Sequence, residues 1–213
     1  MSVEEQIREE ICMLGRSLFD RGLTWGDNAN ITAKLPDGTI LATPLGATFR
    51  DLDPQHLSKL NAAFIHIGGE KPTSEAQLHS PFYATRPETG AVVHLHSTHA
   101  VALSILPDTD HDDALPALSV YSLLRLGAVK ILPYFVPGDP AIEQALRAPG
   151  GERAAVILAN HGPIVSGYDL PGAVYAMEEL EEAARLALLT RGQYPHAITE
   201  DQIAELHDIY QIP

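Results

Sequence analysis

The sequence predicts a single-domain α/β protein. The chain has 213 residues, of which 45% are hydrophobic, and this is enough to form one substantial core. Short apolar runs rich in β-branched residues alternate with longer amphipathic segments, which indicates that strands and helices alternate along the chain. The dipeptide Asp37-Gly38 between two strand-like runs indicates a β-hairpin in the first quarter of the sequence.

The first helix is predicted over Val3 to Arg21, where apolar residues recur every three or four positions. Ser2 and Glu5 form a capping-box pattern at its start, and Gly22 is suited to end it. The other elements are predicted in this order: strands over 31–35 and 39–43, a short helix over 51–60, a strand over 64–67, a helix over 72–84, a strand from 91, a helix over 99–106, a strand over 128–132, a helix over 140–148, strands over 154–158 and 164–166, and helices over 171–190 and 200–210. Four glutamates of the helix over 171–190 are expected to face solvent: Glu178, Glu179, Glu181 and Glu182.

Composition argues against several classes of partner. The formal net charge is −14, which disfavours binding to nucleic acid or to an anionic membrane surface. No run of about 18 apolar residues occurs, so no membrane span is expected, and the acidic start of the chain does not resemble a signal peptide. The single cysteine, Cys12, cannot form an intrachain disulfide, which fits a reducing compartment such as the cytoplasm. A small anionic substrate would need a local positive centre, and a bound metal would be one.

Two histidines on one predicted strand indicate a metal site. His94 and His96 are two residues apart after a β-branched run, so their side chains lie on the same face, with backbones ~7 Å apart. Neutral imidazole is a good ligand for zinc and other first-row metals. The alternative is that core hydrogen bonds or solvent satisfy both rings. His99 has the opposite parity and is given no ligand role.

Two further residues complete the predicted site. His161 directly follows another apolar strand, and three histidine ligands would leave a metal with an open coordination position, as catalysis requires. Glu75 lies in the first turn of the helix predicted over 72–84, where it could carry a proton or act as a fourth ligand. Its alternative role is purely structural, since a carboxylate at a helix start adds about 0.3–1 kcal/mol of stability.

The sequence resembles the class II aldolase/adducin family, which includes fuculose-phosphate aldolase and ribulose-phosphate 4-epimerase. The resemblance covers nearly the whole chain, so residues 1–213 are predicted to form one class II aldolase/adducin-type domain. The motifs that carry it are Asn28-Ala29-Asn30-Ile31, Thr43-Pro44-Leu45-Gly46, Thr73-Ser74-Glu75, His94-Leu95-His96 and Asn160-His161-Gly162. The resemblance implies an α/β/α sandwich around a mainly antiparallel central sheet, assembled as a homotetramer with sites at subunit boundaries.

The resemblance also implies roles for individual residues. His94, His96 and His161 become ligands of a divalent metal, usually Zn²⁺, with Mn²⁺, Co²⁺ and Ni²⁺ as further candidates. Glu75 becomes the catalytic acid/base. Tyr121 corresponds in position to a family tyrosine that reaches the site of a neighbouring subunit, although an ordinary core or interface role is an equal alternative.

Within the family, the flanking residues resemble the 3-oxo-tetronate 4-phosphate decarboxylases. The residues that carry this finer resemblance lie in the segments 14–19, 93–99 and 158–163. The predicted function is therefore that of a metal-dependent carbon–carbon lyase, which decarboxylates a small hydroxylated oxo-acid through a metal-stabilised enediolate. An aldolase or epimerase acting on a ketose phosphate would use the same enediolate, and a non-catalytic adducin-like interaction module is a third alternative.

The predicted substrate pocket fits the family pattern only in part. Four residues match the positions that hold the substrate phosphate in the family: Asn30, Gly46, Thr73 and Ser74. Asp27 departs from the pattern because a carboxylate facing a phosphate is repulsive. Ala29 and Leu45 also replace a glycine and a hydroxyl residue, and Ser74 stands where the decarboxylases carry a lysine. A small-molecule substrate without phosphate therefore stays open.

Overall fold

The protein is described by a computed structural model that covers residues 1–150, 153–210 and 212. Within these residues, eight strands form a single sheet. The strands are β1 (Ala29–Lys34), β2 (Ile40–Ala42), β3 (Ser58–Leu60), β4 (His66–Gly68), β5 (Ala91–Leu95), β6 (Lys130–Leu132), β7 (Ala155–Leu158) and β8 (Gly162–Gly167).

The sheet is mainly antiparallel, as the family resemblance implied. Its strands are ordered β4-β3-β2-β1-β5-β8-β7-β6, and every neighbouring pair is antiparallel except β6 and β7. The predicted hairpin is the pair β1–β2, in which Lys34 lies opposite Ile40. β5, which carries His94, lies in the middle of the sheet between β1 and β8.

Helices cover both faces of the sheet and make the molecule an α/β/α sandwich. The helices found in the described residues are α1 (Val3–Asp20), α2 (Ser80–Thr85), α3 (Thr98–Ser104), α4 (Val120–Leu126), α5 (Ala141–Gly150), α6 (Leu170–Thr190) and α7 (Glu200–Ile209). The core residues of α1, α3 and α6 form one apolar cluster, whereas those of α2 and α5 belong to a second.

Alternating side chains of the central strands divide between these two apolar clusters. On β5, Val93 joins the cluster of α1, α3 and α6, while Val92 joins the cluster of α2 and α5. Both faces of β5 are therefore fully buried, which explains its continuous apolar run. His94 has the same parity as Val92, so its ring lies on the face of the sheet that α2 and α5 cover.

The short helix predicted over 51–60 is wrong. A single 3₁₀ turn spans Phe49–Asp51, and residues 58–60 instead form β3, which pairs with β2. Asp53 and Pro54 start a turn rather than a helix, because the Asp53 carboxylate accepts the backbone N–H of Gln55 at 2.8 Å. Residues 58–60 then gain backbone hydrogen bonds by pairing with β2 as a strand.

Other predicted elements hold with shifted boundaries. The helix predicted over 72–84 is divided into a 3₁₀ helix, Ser74–His79, and α2, at whose start lies Pro81. The segment around Leu123, left unassigned by the sequence pattern, is helix α4. Among the described residues, no helix is long and apolar enough to cross a bilayer.

The solvent-facing position predicted for all four α6 glutamates is wrong for Glu181. Its side chain is only 12% exposed, and its carboxylate accepts the backbone N–H groups of His99 and Ala100 at 2.9 and 3.0 Å. Glu181 therefore caps the start of α3 from a distant helix. Glu182 is the glutamate that faces solvent.

Candidate metal centre

His94 and His96 lie at the carboxyl end of β5. His94 is the fourth of its five residues and is completely buried, whereas His96 lies one residue beyond the strand with 26% of its side chain exposed. Their ring centroids are 5.0 Å apart, so the two-residue spacing brings the rings together as predicted. The Nδ1 of His94 lies 2.8 Å from the carbonyl oxygen of Pro163 and donates to it, which leaves Nε2 as the atom with the lone pair.

His161 reaches the same place from the turn between β7 and β8. Asn160 adopts a left-handed backbone conformation there, with φ of 61°, which makes the turn tight. Gly162 approaches the β5 backbone so closely that a Cβ atom would lie 2.1 Å from the carbonyl oxygen of Leu95. Glycine at this position therefore lets the turn bring His161 against His96.

Glu75 is positioned by the 3₁₀ helix Ser74–His79. Thr73 caps this helix with its hydroxyl, which accepts the backbone N–H of Glu75 at 3.4 Å. Ala76 and His79 are buried on its inner side and anchor it against the sheet. Glu75 consequently points towards the end of β5, where the amide of Asn30 on β1 donates to its Oε2 at 2.8 Å.

These four side chains form one compact cluster. One ligand-type atom from each of Glu75, His94, His96 and His161 lies within 4.8 Å of the others. The Nε2 of His161 is 3.0 Å from Nε2 of His96, 3.4 Å from Nε2 of His94 and 3.2 Å from Oε1 of Glu75. The structure thus brings together all four residues that the sequence predicted for the centre, and leaves out His99, whose ring pairs with Glu181.

Burial and neighbouring charges set the protonation of the cluster. Burial lowers the pKa of His94 to about 3 and also lowers that of His96, so both rings are neutral near pH 7. Burial alone would raise the pKa of Glu75, but the hydrogen bond with His161 and attraction to the neighbouring imidazoles lower it to about 2. The cluster therefore combines the neutral imidazoles of His94 and His96 with an ionised carboxylate.

The donor set fits a divalent transition metal. Three Nε2 atoms converge, and hydrogen bonds between neutral imidazoles cannot satisfy all of them, because each ring carries one N–H. His94 already uses its Nδ1 proton on Pro163, so its Nε2 offers only a lone pair to the centre. Three imidazoles with one carboxylate make a donor set that suits zinc and other first-row metals.

The four residues predicted to contact substrate lie around Glu75. Thr73 and Ser74 directly precede it, and Asn30 contacts its carboxylate. Gly46 belongs to a turn held beside Thr73, because the Thr73 N–H donates to Thr43 and the Leu45 N–H donates to Lys71. This placement is compatible with a substrate pocket, while contact with substrate itself stays a prediction.

Tyr121 does not join this cluster within one protomer. It lies on α4, which packs against α6, and its side chain is 62% exposed. Among the described residues it makes no hydrogen bond with the four cluster side chains. Its predicted role in the site of a neighbouring subunit therefore stays a prediction.

Several residues that shape the centre were missed by the sequence interpretation. The carbonyl of Pro163 orients His94, Gly162 permits the close approach of two strands, and His79 anchors the helix of Glu75. Gly162 and Pro163 directly follow the His161 motif, so proximity in sequence was a usable signal for both. His79 gave none beyond its four-residue spacing from Glu75 on a predicted helix.

Comparison with known proteins agrees with this fold. Residues 9–188 match the family model described as Class II Aldolase and Adducin N-terminal domain. A 3-oxo-tetronate 4-phosphate decarboxylase of Pectobacterium atrosepticum is 41% identical over 206 residues, covering 97% of this chain and 94% of that protein. A 5-deoxy-D-ribulose 1-phosphate aldolase of Bacillus thuringiensis serovar kurstaki is 31% identical over 202 residues, covering 93% of this chain and 92% of that protein.

The fold is also shared with a solved structure. The crystal structure of YgbL from Escherichia coli gives a TM-score of 0.94 at 40% sequence identity, and the match covers 96% of this chain and 99% of that one. The chain therefore belongs to the class II aldolase/adducin family, and the resemblance drawn from its motifs is confirmed.

Proposed function

We propose that the protein is a metal-dependent carbon–carbon lyase that decarboxylates a 3-oxo-tetronate 4-phosphate or a related small hydroxylated 3-oxo acid. The observation that carries the proposal is the convergence of His94, His96, His161 and Glu75 on one centre. Similarity to decarboxylases along nearly the entire chain favours decarboxylation over the other reactions of the family.

The reaction balances without an oxidant or reductant. In a 3-oxo acid the carboxyl carbon is attached to the carbon next to the ketone, so the bonding electrons can move onto the ketone oxygen as carbon dioxide leaves. The former C2 then takes up one proton. Applied to 3-oxo-tetronate 4-phosphate, this gives dihydroxyacetone phosphate and carbon dioxide.

Different residues of the chain would bind the metal and transfer the proton in this reaction. His94, His96 and His161 would hold a divalent cation, proposed to be Zn²⁺ with Mn²⁺, Co²⁺ or Ni²⁺ as substitutes. When bound, the cation supplies positive charge that attracts the developing negative charge of the enediolate. Glu75, with 27% of its side chain exposed, can take a proton from solvent and deliver it to the substrate carbon.

The predicted substrate pocket and assembly belong to the same proposal. Gly46, Thr73 and Ser74, together with the backbone at Asn30, whose side chain is buried against Glu75, would contact the substrate at the end distant from the carboxylate, as in the family. A homotetramer with Tyr121 at a subunit boundary is supported by the exposure of this tyrosine. A cytoplasmic location is supported by the lone cysteine, Cys12, which forms no disulfide.

Retro-aldol cleavage of a ketose phosphate is the second candidate function. It is favoured by the 31% identity to the 5-deoxy-D-ribulose 1-phosphate aldolase along most of both chains. Cleavage of such a ketose would generate the same enediolate, with an aldehyde leaving in place of carbon dioxide. Product analysis separates the two reactions because only one of them releases carbon dioxide.

The test is an assay of zinc- and manganese-loaded protein against phosphorylated and free 3-oxo-tetronates and ketose 1-phosphates. We expect carbon dioxide release from a 3-oxo-tetronate, and a loss of at least 10³-fold in kcat/KM after chelation or in His94→Ala. His196→Ala, which removes an exposed histidine, should retain normal activity. Full turnover by chelated protein would contradict metal dependence, and absence of both metal and activity would favour the interaction-module alternative.

A further inference from the structure

The side chain of Asn30 contacts the proposed proton carrier rather than open pocket space. Asn30 lies opposite His94 in the β1–β5 pairing, so the two side chains project from the same face of the sheet. Asn30 is 1% exposed, and its Nδ2 donates to Oε2 of Glu75 at 2.8 Å. This is a charge-assisted hydrogen bond in a partly buried setting, and such bonds are short and directional.

The contact divides the two oxygens of Glu75 between different partners. Oε2, which accepts from Asn30, lies 3.7 Å from Nε2 of His94 and 3.9 Å from Nε2 of His96. Oε1 lies 3.2 Å from Nε2 of His161. The Asn30 amide thus keeps Oε2 of Glu75 farther from the imidazoles, whereas Oε1 lies beside His161.

The free-energy cost of burying Oδ1, the other polar atom of the Asn30 amide, indicates that the contact with Glu75 is functional. Oδ1 of Asn30 is buried and has no hydrogen-bond partner within the described part of the chain. A buried acceptor without a partner destabilises the fold, and an apolar residue on β1 would avoid that cost. The opposite amide orientation would place Oδ1 against the Glu75 carboxylate, so the donor end is committed to Glu75.

We propose that Asn30 is a positioning residue that holds the Glu75 carboxylate in the orientation required for proton transfer. This rests on the proposed function insofar as Glu75 moves a proton at a substrate carbon. The amide fixes Oε2, so Oε1 faces the centre and the carboxylate does not turn both oxygens towards the imidazoles. A displacement of about 1 Å in a proton carrier is enough to lower a rate by ~100-fold.

The test compares Asn30→Ala, Asn30→Asp, Glu75→Gln and the Asn30→Ala/Glu75→Gln double variant. The first assay follows exchange of the carbon-bound hydrogens of dihydroxyacetone phosphate with D₂O by NMR, which reads proton transfer whether the enzyme is a decarboxylase or an aldolase. The second follows binding of Co²⁺ to metal-free protein by titration. The isosteric Asn30→Asp keeps the shape of the side chain but replaces the donor with a repelling carboxylate.

We expect both single Asn30 variants to lower the maximal exchange rate ~100-fold with KM within about threefold. The same change should have almost no effect in the Glu75→Gln background, because Asn30 acts through that carboxylate. Co²⁺ affinity should equal or exceed that of the unaltered protein, since a released carboxylate is free to approach the metal. A purely structural role would instead weaken Co²⁺ binding.

Three results would overturn the proposal: multiplicative losses in the double variant, a tenfold weaker Co²⁺ affinity in Asn30→Ala, or an unchanged exchange rate. Its failure is distinguishable from failure of the proposed function. Exchange without carbon dioxide release from any 3-oxo acid would reject the decarboxylase assignment alone. Carbon dioxide release that is insensitive to Asn30 would reject the positioning role alone.

Discussion

The exposed carboxylate of Asp27 lies near the imidazole cluster. Ala29 lies opposite Leu95, so the residues just before Ala29 lie near His96. Burial lowers the pKa of His96, and the nearby Asp27 carboxylate partly opposes that effect. Asp27 is exposed and forms no ion pair with any described residue, so its charge is not neutralised locally. A dianionic phosphate on the substrate would be repelled here.

Asp27→Ser and the isosteric Asp27→Asn should therefore shift selectivity towards phosphorylated substrates. At a separation of ~10 Å in water, removing this repulsion favours a phosphate dianion by roughly fourfold in kcat/KM. The ratio of kcat/KM for 3-oxo-tetronate 4-phosphate to that for the free acid is the quantity to measure. The gain should shrink as ionic strength rises. An unchanged ratio at low salt would show that Asp27 does not face the substrate's phosphate end.

His79 makes the fold sensitive to acid. Burial lowers its pKa to about 3 in the folded protein, against an ordinary value of 6.5. Its Nδ1 lies 2.8 Å from the hydroxyl of Thr32, and its Nε2 is buried without a hydrogen-bond partner among the described residues. Between those two pH values the unfolded chain binds a proton that the folded chain does not, so stability is complete above about pH 6.5 and falls as the pH decreases.

His79→Asn should flatten this dependence. Asparagine can replace the bond to Thr32 but does not titrate, so the free energy of unfolding should change with pH by up to ~1.4 kcal/mol per pH unit less than in the unaltered protein. Urea unfolding of both proteins between pH 4 and pH 7, with chelator present, measures the difference in slope. Parallel curves would mean that His79 does not resist protonation in the folded state.

The individual ligands of the centre could be predicted from sequence because their signals are local. His94 lies on β5 with His96 one residue beyond its end, and His161 follows a recognisable apolar run. The contact between Asn30 and Glu75 joins residues 45 positions apart, and no short motif encodes it. Only the register of β1 against β5 reveals that Asn30 faces the centre rather than the opposite side of the sheet.

At the scale of elements, α3 depends on a cap supplied by another helix. Ser97 stands at the N-cap position of α3 but makes no capping hydrogen bond with its side chain. Glu181 of α6 supplies the missing acceptor for two backbone N–H groups, and its Oε1 also lies 2.7 Å from Nδ1 of His99. Because α3 starts two residues after His96, this contact also fixes the chain just beyond the metal centre.

Removing that acceptor should destabilise the protein. Glu181→Ala leaves the N–H groups of His99 and Ala100 without their partner, which is expected to cost about 2–3 kcal/mol in the free energy of unfolding. Glu182→Ala is the matched control, because Glu182 is exposed and makes only a surface ion pair with Arg185, worth about 0.5 kcal/mol. Urea denaturation measures both variants. Equal effects would mean that the cap contributes little.

The two wrong predictions, the helix over 51–60 and the exposure of Glu181, have the same physical origin. Residues 58–60 belong to the segment predicted as a short helix but form a strand because β2 offers a partner. Glu181 belongs to a run of glutamates that is typical of an exposed face, yet its own position faces the start of α3. In both cases a distant element supplies the interaction that decides the outcome, and periodicity within one window does not contain it.

At the scale of the whole molecule, the order of the strands brings the residues of the metal centre together. β5 lies between β1 and β8, so one central strand places His94 and, directly after its end, His96, while its neighbours provide Asn30 and the turn with His161. The centre stands at the end of these strands, where two helical layers leave Glu75 partly exposed. Tyr121, on the layer that contains α6, is separated from this arrangement within one protomer and is the remaining predicted catalytic residue.

Subunit mixing tests whether Tyr121 acts across a boundary. Four chains of 23.0 kDa should give a particle of about 92 kDa by light scattering. Tyr121→Phe and Glu75→Gln should each lose ~100-fold in kcat when assembled alone. In co-expressed mixed tetramers, a site that takes Glu75 from one variant and Tyr121 from the other is complete, so roughly a quarter of full activity should return if subunits assort randomly. If Tyr121 acted only within its own chain, no mixed site would be complete and activity would stay at the level of the separate variants.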